Sequence, residues 1–250
     1  TGGPYIMGLC LSRGMGWQAG YRTISFLQMA LTLILLLSLP LWKKQEQPLS
    51  GGETVRPQTP QWGKLLKRPG VKAALTAFFF YSALELTTGL WGSSYMVAVR
   101  GISPETAAKW ISLFYLGITA GRFFSGILTL RFSDDTMVRL GEGTAIVGII
   151  LLLLPLHNLF LCVGLILTGL GCAPIYPSLL HATPQRFGKS LSQSLMGTQM
   201  AISYLGSTTM PPVSGFLSEK ISMGLYPVLL LVFALCMTIL TEKGRHCTAE

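Results

Sequence analysis

Charged residues are scarce in this chain. They make up 12% of its 250 residues, against about 25% in an ordinary soluble domain. With so few charges, a soluble helical protein could not cover its exposed faces. Cysteine is also sparse: Cys10, Cys162, Cys172, Cys236 and Cys247. An odd number with no CxxC spacing excludes a disulfide framework and gives no metal signature. The five read as small packing residues. No GxxxxGK[ST] run occurs, so nothing here supports ATP drive within the chain. No cofactor is expected.

Apolar sequence fills the space that charge leaves. Half of the residues are hydrophobic, and they gather in runs near 20–42, 72–99, 106–130, 137–156, 159–181, 191–217 and 223–241. A helix needs roughly 20 mostly apolar residues to cross ~30 Å of hydrocarbon, and each run is about that long. Helices satisfy their own backbone groups, which lipid requires. The chain opens on Thr1, with no initiator Met and no signal peptide. Gly3 to Leu11 read as an apolar helix already under way, so 1–12 is expected to be the end of a truncated span.

A formal net charge of +9 raises a nucleic-acid reading, which the distribution of charge argues against. Let the 43–70 connection lie inside and let the spans alternate from there. Of the 19 basic residues, Arg13, Arg22, Arg100, Lys109 and Lys220 then fall outside and Arg122 within a span; the other thirteen fall inside. That asymmetry follows the positive-inside rule. It predicts a cytoplasmic C-terminus, a 242–250 cytoplasmic tail and an inner or plasma membrane location.

The long polar stretch is 43–70, KKQEQPLSGGETVRPQTPQWGKLLKRPG. Its Pro, Gly, Gln and Thr content cannot bury a core, which predicts a basic solvated linker. Trp62 to Arg68 could form a short interfacial helix with Lys64, Lys67 and Arg68 at the headgroups. The other connections are short, so spans consecutive in sequence are expected to pack as antiparallel neighbours. The fold class is an all-α polytopic membrane protein. One span, 20–42, precedes a six-helix bundle at 71–241, a layout expected of a transporter built from two six-span halves. On that reading 20–42 is the sixth of twelve spans, and the N-terminal half of the protein is a missing partner of this one.

Particular segments sharpen this. GRFFSGILTLRFSDDTMVRLG (121–141) resembles the loop between the eighth and ninth spans of the major facilitator superfamily, although Leu130 stands where Asp is common before Arg131. Gly3, Pro4 and Gly8 resemble the end of the family's fifth span, and GWQAGYR (16–22) its entry to the sixth. FFFYSALELTTGLWGSSYMV (78–97) is similar to the seventh span of the fucose permease-like branch, through Tyr81, Glu85, Gly89, Trp91 and Tyr95. The resemblance implies a twelve-span transporter of a small solute, a sugar in that branch, working by alternating access. In that branch, the carboxyls linked to proton coupling lie in the N-terminal half. Symport, uniport and export therefore stay open, as does a proton partner.

Glu85 is the strongest single signal. It lies roughly 20 Å along its helix at 1.5 Å per residue, a depth at which a carboxylate must face protein or water. Tyr81, Glu85, Thr88, Gly92 and Tyr95 recur at intervals of 4, 3, 4 and 3, which puts them on one face. That face is expected to line a central cavity. Glu85 could bond solute, gate the path, carry a proton, or brace a neighbouring helix. Trp91 could stack on a sugar ring or anchor the outer interface. Tyr115, Thr119 and Arg122 form a second stripe, and Gln199 lies on a third. The Gln199 amide suits a hydroxylated solute or an interhelical bond. Arg122 and Glu142 flank a turn containing Arg131 and are expected to pair as a structural charge latch. Asp134 and Asp135 read as a solvated, charge-balanced turn, and His157 and His181 as polar residues at the water boundary. A polytopic enzyme acting on a lipid-linked substrate is the alternative; it would need a catalytic cluster at one membrane face, and the sequence shows none.

Overall fold

A computed structural model describes residues 2–42, 66, 68–155 and 157–249. Most of the 43–70 linker, including Trp62, Lys64 and Lys67 of the expected interfacial helix, lies outside them. Among the described residues the helices are α1 (Gly2–Ser12), α2 (Gly16–Trp42), α3 (Val71–Arg100), α4 (Pro104–Leu128), α5 (Asp134–Leu153), α6 (Asn158–Phe187), α7 (Lys189–Lys220) and α8 (Tyr226–Ala249), with a 3₁₀ turn at Met223–Leu225 before α8. Among the described residues there is no strand.

The boundaries follow local chemistry. Gly70 and Gly101 bracket α3 at φ 78° and 64°, values that glycine adopts without a Cβ penalty. Ser103 caps α4 by accepting from the Thr106 amide, with Pro104 in the first turn. Ser133 caps α5 in the same way through Thr136. Pro155 ends α5: the residue before it, Leu154, has turned extended at ψ 139°, as a pre-proline position favours. At His157 the ring Nδ1 accepts the Leu159 amide and starts α6. Helix α8 continues through Ala249, so residues expected as a tail from 242 onward are helical. Its extra turns are held by Glu242, which binds both Arg139 and Arg245.

Among the described residues six helices are long and apolar enough to cross a membrane: α2 to α6 and the stretch Met223–Cys247, which covers most of α8. Of the helices long enough to span, α7 is the exception. Its 32 residues carry Ser, Thr and Gln throughout, and several of these are buried against other helices, so it is the most polar of the long elements. The chain is a multi-pass membrane protein, all-α throughout its described residues.

Helices α3 to α8 form one bundle around Phe78, Leu84, Phe114, Ile149, Leu165, Ile175, Tyr226 and Leu230. Sequence neighbours are not always spatial neighbours. Helix α6 packs on both α4 and α5, and α3 packs on both α7 and α8, whereas α4 and α5 scarcely touch. The expected antiparallel α4–α5 pair is therefore replaced by α6 inserted between them. The insertion rests on small residues that let backbones approach, a common device where lipid removes the usual hydrophobic drive. A Cβ at Gly169 would collide with the Phe114 carbonyl on α4. One at Gly171 would meet Ala145 and Gly141 on α5. Helix α1 lies against α4, with Gly8 on the Lys109 side chain. Helix α2 packs mainly on α1 and exposes Phe26, Met29 and Leu37.

Candidate functional site

Two ends of the bundle can be distinguished. One, the linker end, carries Gly70, the 129–133 turn, Gly188 and the C-terminus of α8; the other carries Gly101, the 154–157 turn and the 3₁₀ turn.

Glu85 sits midway along the 30 residues of α3. It is half-buried, whereas Leu84, Thr87 and Thr88 around it are buried. Three helices converge on it. Its carboxylate lies within electrostatic range of Tyr81 on its own helix, Tyr115 on α4, and Cys172 and Tyr176 on α6. The registers agree. Tyr115 packs against Gly89, where any Cβ would strike its hydroxyl. Two turns further along α4, Arg122 comes within range of Tyr81 on antiparallel α3. Arg122 is exposed, so the site carries a carboxylate and a guanidinium at different depths of the same face. Tyr176 also lies within range of Tyr204 on α7, which is 74% exposed.

The predicted α3 stripe divides. Tyr81, Thr88, Gly92 and Tyr95 are buried inside the bundle, not spread along an open cavity wall. Tyr81 donates to the Cys172 carbonyl at 3.2 Å. Thr88 donates back to Leu84, and its carbonyl accepts from Tyr226. Tyr95 donates to the Leu152 carbonyl at 2.9 Å. Their polar atoms tie helices together, because a face of a long central helix that points into the bundle must satisfy its hydroxyls there. Only Glu85 keeps partial exposure within that stripe.

Trp91 is likewise tied: its indole N–H donates to the Pro211 carbonyl at 2.8 Å, and its ring packs on Gly215. Gln199 is buried, and its side-chain oxygen accepts from Thr183 at 3.1 Å. These contacts give Gln199 an interhelical bond and seat the Trp91 indole on α7.

The expected Arg122–Glu142 latch is not formed. Glu142 is buried and turned toward α8, where Oε1 accepts from Thr241 at 2.7 Å. Arg122 stands on α4, and α6 separates the two helices. Arg131 is exposed at the turn. Other residues close the linker end. His181 bonds Asp134 at 2.8 Å. Arg186 pairs with Asp135. Arg139 binds Glu242 through two nitrogens at 2.7 and 3.0 Å. The two aspartates thus serve α5–α6 contacts, and they are not balanced by their nearest arginines in sequence. A helical i, i+3 reading of each helix could not show this, since the partners are about 50 residues away in sequence or more.

A buried Thr–carboxylate bond predicts a graded response. Glu142→Gln keeps the shape and an acceptor oxygen, so its melting temperature is expected to match the parent. Glu142→Ala strips Thr241 of its partner and leaves a void, with a loss of about 1–3 kcal/mol. Thermal unfolding of the purified protein followed by tryptophan fluorescence checks both; equal melting of the two variants contradicts the assignment.

Two groups were not singled out from sequence. Tyr176 joins the Glu85 cluster from GLGCAPIYP (169–177), a Gly/Pro-rich stretch of α6. Arg100 donates to the Leu152 and Leu154 carbonyls at 3.2 and 2.5 Å, satisfying the C-terminal carbonyls of α5. The sequence shows it only as an outer-side charge. Among the described residues there is no group of three or more His, Cys, Asp or Glu placed to hold a metal.

The fold is a membrane-spanning helical bundle with a half-buried carboxylate midway along α3. The sequence profile of the Major Facilitator Superfamily matches residues 92–243, and the chain belongs to that family. Bypass of stop codon protein 6 of Saccharomyces cerevisiae is 24% identical over 197 residues, which cover 72% of this chain and 38% of the yeast protein. The fold is similar to that of the E. coli fucose:proton symporter, FucP. One FucP structure aligns with a TM-score of 0.59 at 20% identity, over 74% of this chain and 44% of that one. A second, in the outward conformation, aligns at 0.71 and 19%, over 92% of this chain and 54% of FucP. The chain thus spans well under two thirds of the length of these proteins.

Proposed function

We propose that the chain is the C-terminal part of a secondary transporter that moves a small neutral hydroxylated solute, a sugar by class, across the cytoplasmic membrane by alternating access. Glu85 carries the reading. It is a half-buried carboxylate at mid-depth of a membrane-length helix, ringed by the tyrosines Tyr81, Tyr115 and Tyr176 from three helices. Carboxylate oxygens accept from sugar hydroxyls, and the partly exposed rings of Tyr115 and Tyr176 suit the C–H faces. The FucP fold supports the solute class, and its printed description as a fucose:proton symporter motivates a gradient test. A site at mid-depth favours transport over chemistry on a lipid headgroup, which would sit near one surface.

In this proposal α2 is the sixth of twelve spans and α3 to α8 form the second half. The face bearing Glu85, Arg122, Tyr176 and Tyr204 meets the first half of the transporter. The 43–70 linker and the C-terminus lie in the cytoplasm. Cysteines placed at Ser50 and Ala249 of the full-length protein are expected to resist a membrane-impermeant maleimide in intact cells and to react after permeabilisation. Labelling of either in intact cells reverses the orientation.

The function itself is tested by uptake of a panel of labelled neutral sugars into proteoliposomes holding the full-length protein, with and without an imposed proton gradient. Uptake of at least one sugar above empty liposomes is the expected result. Stimulation by the gradient assigns symport, and its absence assigns uniport. No uptake of any sugar, with uptake of a charged or lipid solute instead, overturns the solute class.

A further inference from the structure

At the linker end, the start of α3 and the end of α8 enclose a groove of about 540 Å³. Its rim is cationic: Arg68, Lys72 and Lys243 all line it and all are exposed. None of the three makes an ion pair with a described residue. This sets them apart from the neighbouring Arg139, Arg186 and Arg245, each of which binds a carboxylate. Apolar Leu66, Ala73 and Leu240 line it as well, beside Thr76 and Cys247. Cations left unpaired beside an apolar surface, where two membrane-spanning helices leave the bilayer, match the two parts of a phospholipid: an anionic head above and acyl chain below.

We propose that this groove is a binding site for an anionic phospholipid headgroup, seated between α3 and α8 on the linker side. The inference requires only that α3 and α8 cross a membrane, so it stands or falls separately from the identity of the solute. Three features favour a lipid over a free phosphate. The cations ring an open groove and enclose no pocket, apolar side chains share its lining, and the location is the bilayer boundary. Each cation near such a surface contributes about 1 kcal/mol to holding an anionic lipid, equivalent to roughly fivefold in affinity. Bound lipid would also brace the entry of α3, the helix that carries Glu85, against α8.

Native mass spectrometry of the full-length protein in neutral detergent tests this, with phosphatidylglycerol, phosphatidylcholine and inorganic phosphate each added in titration. Phosphatidylglycerol is expected to be retained at concentrations where phosphatidylcholine is not, and millimolar phosphate is expected not to displace it. Lys72→Gln and Lys243→Gln are each expected to weaken retention about fivefold. Arg131→Gln removes an exposed charge at the same end but outside the groove, and is expected to leave retention unchanged. All three positions are exposed, so folding is expected to persist, and elution on size exclusion verifies it. Equal retention of the two lipids, displacement by phosphate, or an Arg131→Gln effect as large as that of Lys243→Gln each overturns the proposal.

Discussion

Glu85→Ala is expected to cut solute uptake by about 10- to 100-fold while leaving the protein inserted and folded. The magnitude is that of a hydrogen bond to a charged group, about 1.5–3 kcal/mol. Stability should survive because Glu85 is half-buried, whereas it is Tyr81, Thr88 and Trp91 whose hydrogen bonds tie α3 to other helices. Glu85→Gln separates two roles. If the carboxyl carries a proton, the variant loses gradient-driven accumulation but retains exchange of solute across the membrane. If it bonds only solute, both activities fall together and partially. Uptake and counterflow in proteoliposomes at matched protein density distinguish them. Normal uptake by Glu85→Ala would remove Glu85 from the solute path.

The second large effect is structural. Gly171→Ala adds one methyl group where the α5 backbone already touches α6, so neither helix can yield by turning a side chain aside. A destabilisation of about 1–3 kcal/mol is expected from such overpacking, with a visible loss of monodisperse protein. Gly143→Ala adds the same methyl on the same pair of helices at a position facing open space. Exchanging glycine for alanine inside a helix is worth about 0.5–1 kcal/mol in the helix's favour, so this variant is expected to be neutral or slightly stabilised. Fluorescence-monitored melting of the two side by side checks the pair. Equal destabilisation would mean that α5 and α6 do not approach through Gly171.

Helix count, class and approximate boundaries were legible because the signals are local. A run of apolar residues between Gly, Ser or Pro punctuation defines a span whatever surrounds it, and Gly70, Gly101, Ser103, Ser133 and Pro155 all act where they stand. The depth of Glu85 was legible for the same reason, since it needs only a position along one helix. Orientation about a helix axis was not. Periodicity put Thr88 and Tyr95 on the face of Glu85, but a helix at the centre of a bundle has several neighbours. Which of them covers a given residue depends on packing order. The insertion of α6 between α4 and α5 separated Arg122 from Glu142, and the α5–α6 packing brought Asp135 to Arg186 and Asp134 to His181. That close packing rests on Gly141, Gly148, Gly164 and Gly171, and which side chains meet across it depends on the register the glycines permit. Tyr176 was missed on the same grounds: its segment reads as Gly/Pro-rich, and its nearness to Glu85 exists only once α6 is placed.

The central claim is that the Glu85 face lines a water-filled solute path, and cysteine accessibility measures it without knowing the solute. In the full-length protein, with its native cysteines replaced, Glu85→Cys and Tyr176→Cys are compared with Val147→Cys. Val147 is an exposed apolar position on α5 that is taken to face lipid. A small water-soluble maleimide is expected to modify the first two and to spare the third, and the transported sugar is expected to slow modification at Glu85→Cys. Modification of Glu85→Cys no faster than that of Val147→Cys would contradict the account.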